Sequence, residues 1–342
     1  MSVSTCLSVT CLSVTCLSLP AWLHLSVCNL SVSTCLSPPV CLHLSVSTCL
    51  SVTCLSPPVC LSLPGSTWGN TGIGRATALR LAGLGARVVL ACRNQDKARE
   101  AACHIQRVTG STDVVYMLLD LGSFRSVRSF AESFLKAEKR LDLLINNAGL
   151  VAHGRTEDGF GIEFGVNHLG HFLLTNLLLE RLQEGGGGRV VTLSSIAYRW
   201  GHIDFQRKDL GTGWFSWQFF SAYCNSKLCN VLFTLHLAKR LQGSKVTCYS
   251  VHPGVVRTEL SRYVGLWQKV FIEPIARLLF LDPATGAQTT LHCALQEGIE
   301  PFSGRHFSCC AVEELTPRGR DHAVAQRLWE VSEQLCGLSS TS

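Results

Sequence analysis

Beyond about residue 70, the apolar residues follow two alternating rhythms. Unbroken apolar runs bounded by turn residues read as buried strands, and recurrence every three or four positions reads as helices. On this basis Asn70 to about Leu84 is a glycine-led turn and helix, and Ala86 to Ala91 is a strand. Gln95 to Thr109 is an amphipathic helix, Asp113 to Leu119 a strand, and Ser123 the cap of a helix reaching about Lys139. Leu141 to Ile145 is a strand that breaks into Asn146-Asn147-Ala148-Gly149. A long helix spans Gly161 to Glu184, and the strand Arg189 to Leu193 ends in Ser194-Ser195. After an irregular aromatic stretch from Gly201 to Phe220, a helix carries Leu228, Val231, Leu232 and Leu235 on one face. Lys245 to His252 is a strand, Ala284 to Gln296 a helix, Gly304 to Ser308 a last strand and His322 to Leu335 a closing helix. Such alternation implies an α/β, doubly wound parallel sheet in a three-layer single domain.

The N-terminal segment breaks this order. Arg75 is the first charged residue, and the pentad Cys-Leu-Ser-Val-Thr runs from Cys6 and again from Cys11. The segment Cys35 to Leu42 recurs as Cys54 to Leu61. Repeats normally stack into solenoids, but these units have no amphipathic face to bury. Ser, Thr and Pro are too dense for a membrane span, and a signal peptide would need a charged start. Residues 1–64 therefore read as a low-complexity Ser/Cys/Leu repeat, disordered or a translated nucleotide repeat joined to a folded domain at 65–338. Cys60 to Pro64 stands where the first strand of the sheet belongs, and a proline there argues against a central strand. The repeat is thus expected to have replaced that strand.

Of the 18 cysteines, nine lie in the repeat and the rest are scattered without a Cys-x-x-Cys pair, as small buried hydrophobes or free thiols. A formal net charge of +6, with basic and acidic residues mixed, gives no nucleic-acid surface.

Chemistry concentrates at the predicted strand ends. Ligands bind doubly wound sheets at the carboxyl ends of their strands, which places Cys92, Arg93, Asp120, Asn146, Ala148 and Gly149 on one rim. Asn70-Thr71-Gly72-Ile73-Gly74 is a glycine-rich turn opening a helix, as used to approach a pyrophosphate with backbone and helix N-terminus. Arg93 stands where an NAD-binding acid would stand, which favours a 2′-phosphate and hence NADP. Tyr223 and Lys227 are one helical turn apart and share a side, so the ammonium is expected to favour the phenolate. That is one way to build a general acid/base. Asn167 is unfavourable by propensity within its helix. His168 and His171 have no third ligand at useful spacing, so no metal is expected. The aromatic residues between Trp200 and Phe220 suit an apolar substrate wall or core packing, and the apolar stretch 264–281 suits a pocket lid or membrane contact.

In register, Thr71-Gly72-Ile73-Gly74, Asp120, Asn146-Asn147-Ala148-Gly149, Asn167, Ser195, Tyr223-x-x-x-Lys227 and Pro253-Gly254 resemble the short-chain dehydrogenase/reductase family, from residue 69 to about 337. The long Ser195-to-Tyr223 segment, Tyr223-Cys224-Asn225-Ser226-Lys227 and Glu300-Pro301-Phe302-Ser303-Gly304 are similar to its retinol-dehydrogenase branch. The resemblance implies a Rossmann-type fold and hydride transfer between NADP(H) and a lipophilic alcohol, aldehyde or ketone. Tyr223 would be the acid/base, Lys227 would depress its pKa, Ser195 would hold the substrate oxygen, and Asn167 would hold a water leading from Lys227. Cofactor contacts would come from Asn70, Thr71, Gly72, Ile73, Gly74, Arg93, Asp120, Asn147, Ala148, Gly149, Pro253, Gly254 and Thr258, with Tyr223 and Lys227. A small lipophilic substrate, membrane contact through 264–281, a homodimer, and an endoplasmic-reticulum membrane or cytoplasmic location follow as expectations. The departure is the family's first glycine, whose position holds Trp68, and the family's N-terminal membrane anchor is replaced by the repeat. A non-catalytic paralogue with impaired cofactor binding, or a sterol or general carbonyl reductase, are the alternative readings.

Overall fold

A computed structural model describes residues 58–62, 72–205, 216–254 and 282–338, with backbone alone for 58–62 and 216–219. All of them belong to one compact unit that begins at Thr53, before the compositional break at residue 64.

Eight strands form one sheet: β1 (Pro58–Ser62), β2 (Arg87–Cys92), β3 (Val114–Leu118), β4 (Leu143–Asn146), β5 (Arg189–Leu193), β6 (Thr247–His252), β7 (His306–Ser308) and β8 (Ala311–Glu313). Their spatial order is β3-β2-β1-β4-β5-β6-β7-β8. All neighbours are parallel except the β7–β8 hairpin. The chain runs outward in one direction from β1 and in the other from β4, so the crevice between these two strand ends is where a doubly wound sheet binds its ligand.

The central strand corrects the sequence expectation. Cys60 is in register with Val89 of β2 and Leu144 of β4, so the tail of the repeat is itself the first strand. The proline argument addressed the wrong frame. Pro58 is the first residue of β1, where a missing N–H is tolerated, and Pro64 lies beyond its end.

Alternating strand residues feed two cores, with Val190 and Cys248 in one and Val191 and Tyr249 in the other. The first core is closed by α3 (Phe124–Ala137), α5 (Gly170–Glu184), α6 (Ser216–Arg240) and α8 (His322–Leu335). The second is closed by α1 (Ile73–Gly83), α2 (Gln95–Thr109) and α7 (Pro283–Leu295). Ser123 caps α3 as its sequence position implies, its hydroxyl accepting from Ser126 N at 3.3 Å.

Three other expectations change. The helix expected from Gly161 is a short turn, α4 (Ile162–Phe164), then a π-helical segment Gly165–Leu169, then α5. The helix bearing Tyr223 begins at Ser216, so the aromatic stretch is helical in its last residues rather than irregular throughout. The sheet also gains β8, too short for any periodicity to show.

Candidate active site

Five consecutive strand ends converge on one rim. Arg93 follows β2, Asp120 follows β3, Asn147-Ala148-Gly149 follows β4, Ser194-Ser195 follows β5 and Pro253-Gly254 follows β6. Gly72 caps α1 at φ 96°, and among the described residues no side chain caps the first amides of that helix, whose N-terminus lies at the rim. Ile73 and Gly74 are buried in that first turn. Asp120 Oδ1 accepts from Gly122 N at 2.9 Å, and its other oxygen stands 3.8 Å from Arg93.

Lys227 is buried at 3% exposure, with Nζ donating to the Leu193 carbonyl at 3.2 Å and 5.6 Å from the centre of the Tyr223 ring. Asn230 Nδ2 shares that carbonyl at 3.0 Å, and Ser194 Oγ donates to the Lys227 carbonyl at 2.8 Å. Gly149 leaves room for this packing: a Cβ there would stand 3.0 Å from Lys227 Nζ, which would have to shift by a few tenths of an ångström. Ser195 interacts with the Tyr223 hydroxyl and draws its pKa down. Its own hydroxyl also accepts from Ala197 N at 3.3 Å, opening a 3₁₀ turn, Ile196–Trp200. Asn225 fastens the far side of that turn to α6, its Oδ1 accepting from His202 N at 2.8 Å.

The electrostatics correct a second expectation. Burial pushes the Tyr223 phenol up to about 12, with Ser195 opposing it, and burial pushes Lys227 down to about 8. Dehydration outweighs the attraction between the pair. At neutral pH the pair therefore stands as neutral phenol and charged ammonium, a proton-donating state.

Asn167 lies in the π segment, where widened backbone geometry explains a residue that an α-helix disfavours. Its Oδ1 accepts from Leu150 N at 2.8 Å, and its Nδ2 donates to Leu150 O at 2.9 Å and to Ser226 Oγ at 3.0 Å. The side chain thus clamps the loop after β4 onto α6. It is committed to protein partners, which leaves only its backbone carbonyl for the expected water, and that carbonyl faces His171 Nδ1 at 3.1 Å.

His168 pairs with Ser332 Oγ at 2.9 Å. Burial pushes His168 down to about 3 and His171 down to about 4. Among the described residues no group of three or more His, Cys, Asp or Glu is placed to hold a metal. Asn70, Thr71, Trp68, Thr258 and the stretch 264–281 lie outside the described residues.

Several site residues escaped the sequence reading. Ser226, Asn230 and Thr234 form a buried polar stripe at four-residue spacing along α6, a signal readable beside the Leu228 face. Glu163, 2% exposed, accepts from Ala152 N at 3.3 Å on the loop after β4, and burial pushes it up to about 7. Its only sequence signal was a charge in a buried helix.

The N-terminus of α1, opened by Gly72, and the half-exposed Arg93 at the end of β2 fit a bound dinucleotide. Comparison with known proteins agrees with this geometry. The family model for short chain dehydrogenase matches residues 67–206. Dehydrogenase/reductase SDR family member 13 of Bos taurus is 52% identical over 80% of this chain and 72% of its own length. Retinol dehydrogenase 11 of Mus musculus is 50% identical over 80% of this chain and 85% of its own. An uncharacterised protein from Mycobacterium paratuberculosis, solved by crystallography, is 33% identical over 82% of this chain and 93% of its own, with a TM-score of 0.65.

Proposed function

Because this chain belongs to the short-chain dehydrogenase/reductase family and is an oxidoreductase related to the retinol dehydrogenases, we propose that it transfers a hydride between NADP(H) and a lipophilic alcohol, aldehyde or ketone, with Tyr223 as general acid/base. One observation carries the reading: Tyr223, with Ser195 acting on its hydroxyl and buried Lys227 5.6 Å from its ring, stands on the strand-end rim.

A bound nicotinamide supplies the hydride chemistry itself. The remaining work falls to the protein. A phenol raised to about 12 keeps its proton at neutral pH and can donate it to an oxygen that becomes negative. Ser195 adds a second donor at that oxygen. The Lys227 ammonium, held in place by the Leu193 carbonyl, stabilises the phenolate left behind.

NADP(H) preference rests on Arg93, 43% exposed at the end of β2 with no acid in its place. The lipophilic substrate class is supported by Ile196, Trp200 and Phe220, exposed at 38%, 61% and 47%, beside Ser195 and ahead of Tyr223. The rings of Trp200 and Phe220 are 6.2 Å apart. Under this reading substrate arrives from a membrane surface such as that of the endoplasmic reticulum. Among the described residues no helix is long and apolar enough to cross a membrane.

The test is reduction of all-trans-retinal followed by NADPH oxidation, with NADPH binding titrated by fluorescence in parallel. Turnover with NADPH at least tenfold more efficient than with NADH is expected. Binding absent at millimolar NADPH would overturn the reading in favour of a non-catalytic relative.

A further inference from the structure

One face of the sheet is polar along its far edge. Ser250 and His252 of β6, His306 and Ser308 of β7, and Glu313 of β8 share one face, as their register and two-residue spacing require. Tyr249, Val251 and Phe307 occupy the other. Tyr198, 1% exposed, covers the polar stripe with its ring edge-on to His306 at 5.2 Å. Glu313 also interacts electrostatically with both histidines.

This stripe is incompletely satisfied. Ser250 Oγ takes one ring nitrogen of His306 at 2.9 Å, and the other nitrogen has no partner. The Tyr198 hydroxyl and His252 Nδ1 are likewise buried without partners, and so is the hydroxyl of Thr316, which precedes the turn Pro317–Arg320. Gly319 of that turn packs against the Tyr198 ring. Arg199 interacts with the Tyr198 hydroxyl and is bound to Glu313 at 2.6 Å. A buried polar group left unpaired costs about 1–3 kcal/mol, and native interiors satisfy such groups with ordered water when protein partners are missing.

We propose that buried water bridges Tyr198, His252 and His306, and that this bridge ties together the two turns on either side of the reacting centre. Tyr198 is the buried anchor of the turn that Ser195 opens, and its N–H donates to the Ser195 carbonyl at 3.0 Å. His252 is the last residue of β6 and directly precedes Pro253-Gly254. Tyr198, His252 and His306 are positioning residues under this inference. They touch neither substrate nor cofactor and act through the Ser195 turn and the Pro253 turn. The consequence for catalysis rests on the proposed function, whereas the water bridge does not.

Two measurements test it on the full chain. A crystal structure at about 1.5 Å resolution should show water within hydrogen-bond reach of all three orphaned atoms, and a dry or collapsed gap there overturns the inference. Hydrogen exchange in Tyr198→Phe should be accelerated about tenfold both in residues 196–201 and at 252–254, with the remaining strands unchanged. Acceleration confined to 196–201 refutes the coupling. If the chain turns over NADPH, the same variant should lose about tenfold in kcat while KM and NADPH affinity stay within twofold. In the same assay His306→Gln, which keeps polar atoms for the water, should retain more kcat than His306→Leu. A kcat loss that tracks lost thermal stability in both His306 variants also refutes the inference. Wild-type protein without turnover counts against the proposed function alone, and the water positions and the exchange pattern still decide this one.

Discussion

The sheet has two halves that reach the same rim by different means. On the β4–β5–β6 side, function is written in side chains. Tyr223, Lys227, Asn167, Ser226 and Asn230 are bonded to one another or to shared carbonyls, and most are buried. On the β3–β2–β1 side, function is written in backbone: a glycine-capped helix start at Gly72, a strand end at Arg93, and a central strand drawn from a repeat. Compare β5, Arg-Val-Val-Thr-Leu, with β1, Pro-Val-Cys-Leu-Ser, which flank β4 on opposite sides. Pairing needs only N–H and C=O groups in extended register, so a strand can be recruited from almost any stretch without an internal proline. A buried acid/base pair cannot be recruited in that way, because each member's ionisation depends on its neighbours.

The largest expected effect breaks the side-chain half alone. Tyr223→Phe should lower kcat by about a thousandfold or more, roughly 4 kcal/mol, while NADPH affinity measured by fluorescence stays within twofold. Equal loss of both would show that the halves are not separable. Next, removal of residues 1–57 should leave the thermal unfolding midpoint unchanged, whereas removal through residue 62 should abolish cooperative unfolding, since β1 pairs on both sides. If the two truncations behave alike, β1 contributes nothing.

The smallest effect sharpens the comparison through acid. The histidines whose pKa values are lowered, His168, His171, His236, His252 and His306, all belong to the side-chain half. A histidine held neutral by burial stabilises the fold fully above its unfolded pKa and loses that contribution as pH falls toward its folded one. His168 at about 3, with His171 and His306 at about 4, therefore take up protons on unfolding below pH about 6.5. Glu163, raised to about 7, opposes them by holding a proton in the folded state between its unfolded value and 7. The net uptake near pH 5 is roughly two protons, or about 2.7 kcal/mol of stability lost per pH unit. Urea denaturation between pH 6.5 and 5 checks it, and stability constant over that range would contradict the burial of these rings.

How much of this was legible follows from the same division. Strand ends and helix periods announced β2 through β6 and the rim residues Arg93, Asp120, Gly149 and Ser195, because patterning and turn chemistry are local. The Tyr223–Lys227 spacing showed a shared side, but not that burial would outweigh the attraction between them, since dehydration is a property of the surroundings. Asn167 stood out as misplaced in a helix, and the π segment that resolves it left no mark in the periodicity. β1 was misread because Pro64 was counted inside the strand. The orphaned atoms of Tyr198, His252 and His306 meet only through tertiary packing, so no sequence spacing links them.

The π segment Gly165–Leu169 also sets how this protein tolerates changes of length. A π turn holds one residue more than an α turn, so the helix on either side of it is out of phase by about 100°. Deleting a single residue there would heal α4 and α5 into one regular helix, with better backbone hydrogen bonds than before. It would also rotate Asn167 off Leu150 and Ser226. An in-frame loss of one codon in this segment would thus yield a helix of improved regularity and a disarmed enzyme, so the segment's length is under a constraint separate from that on its residue identities.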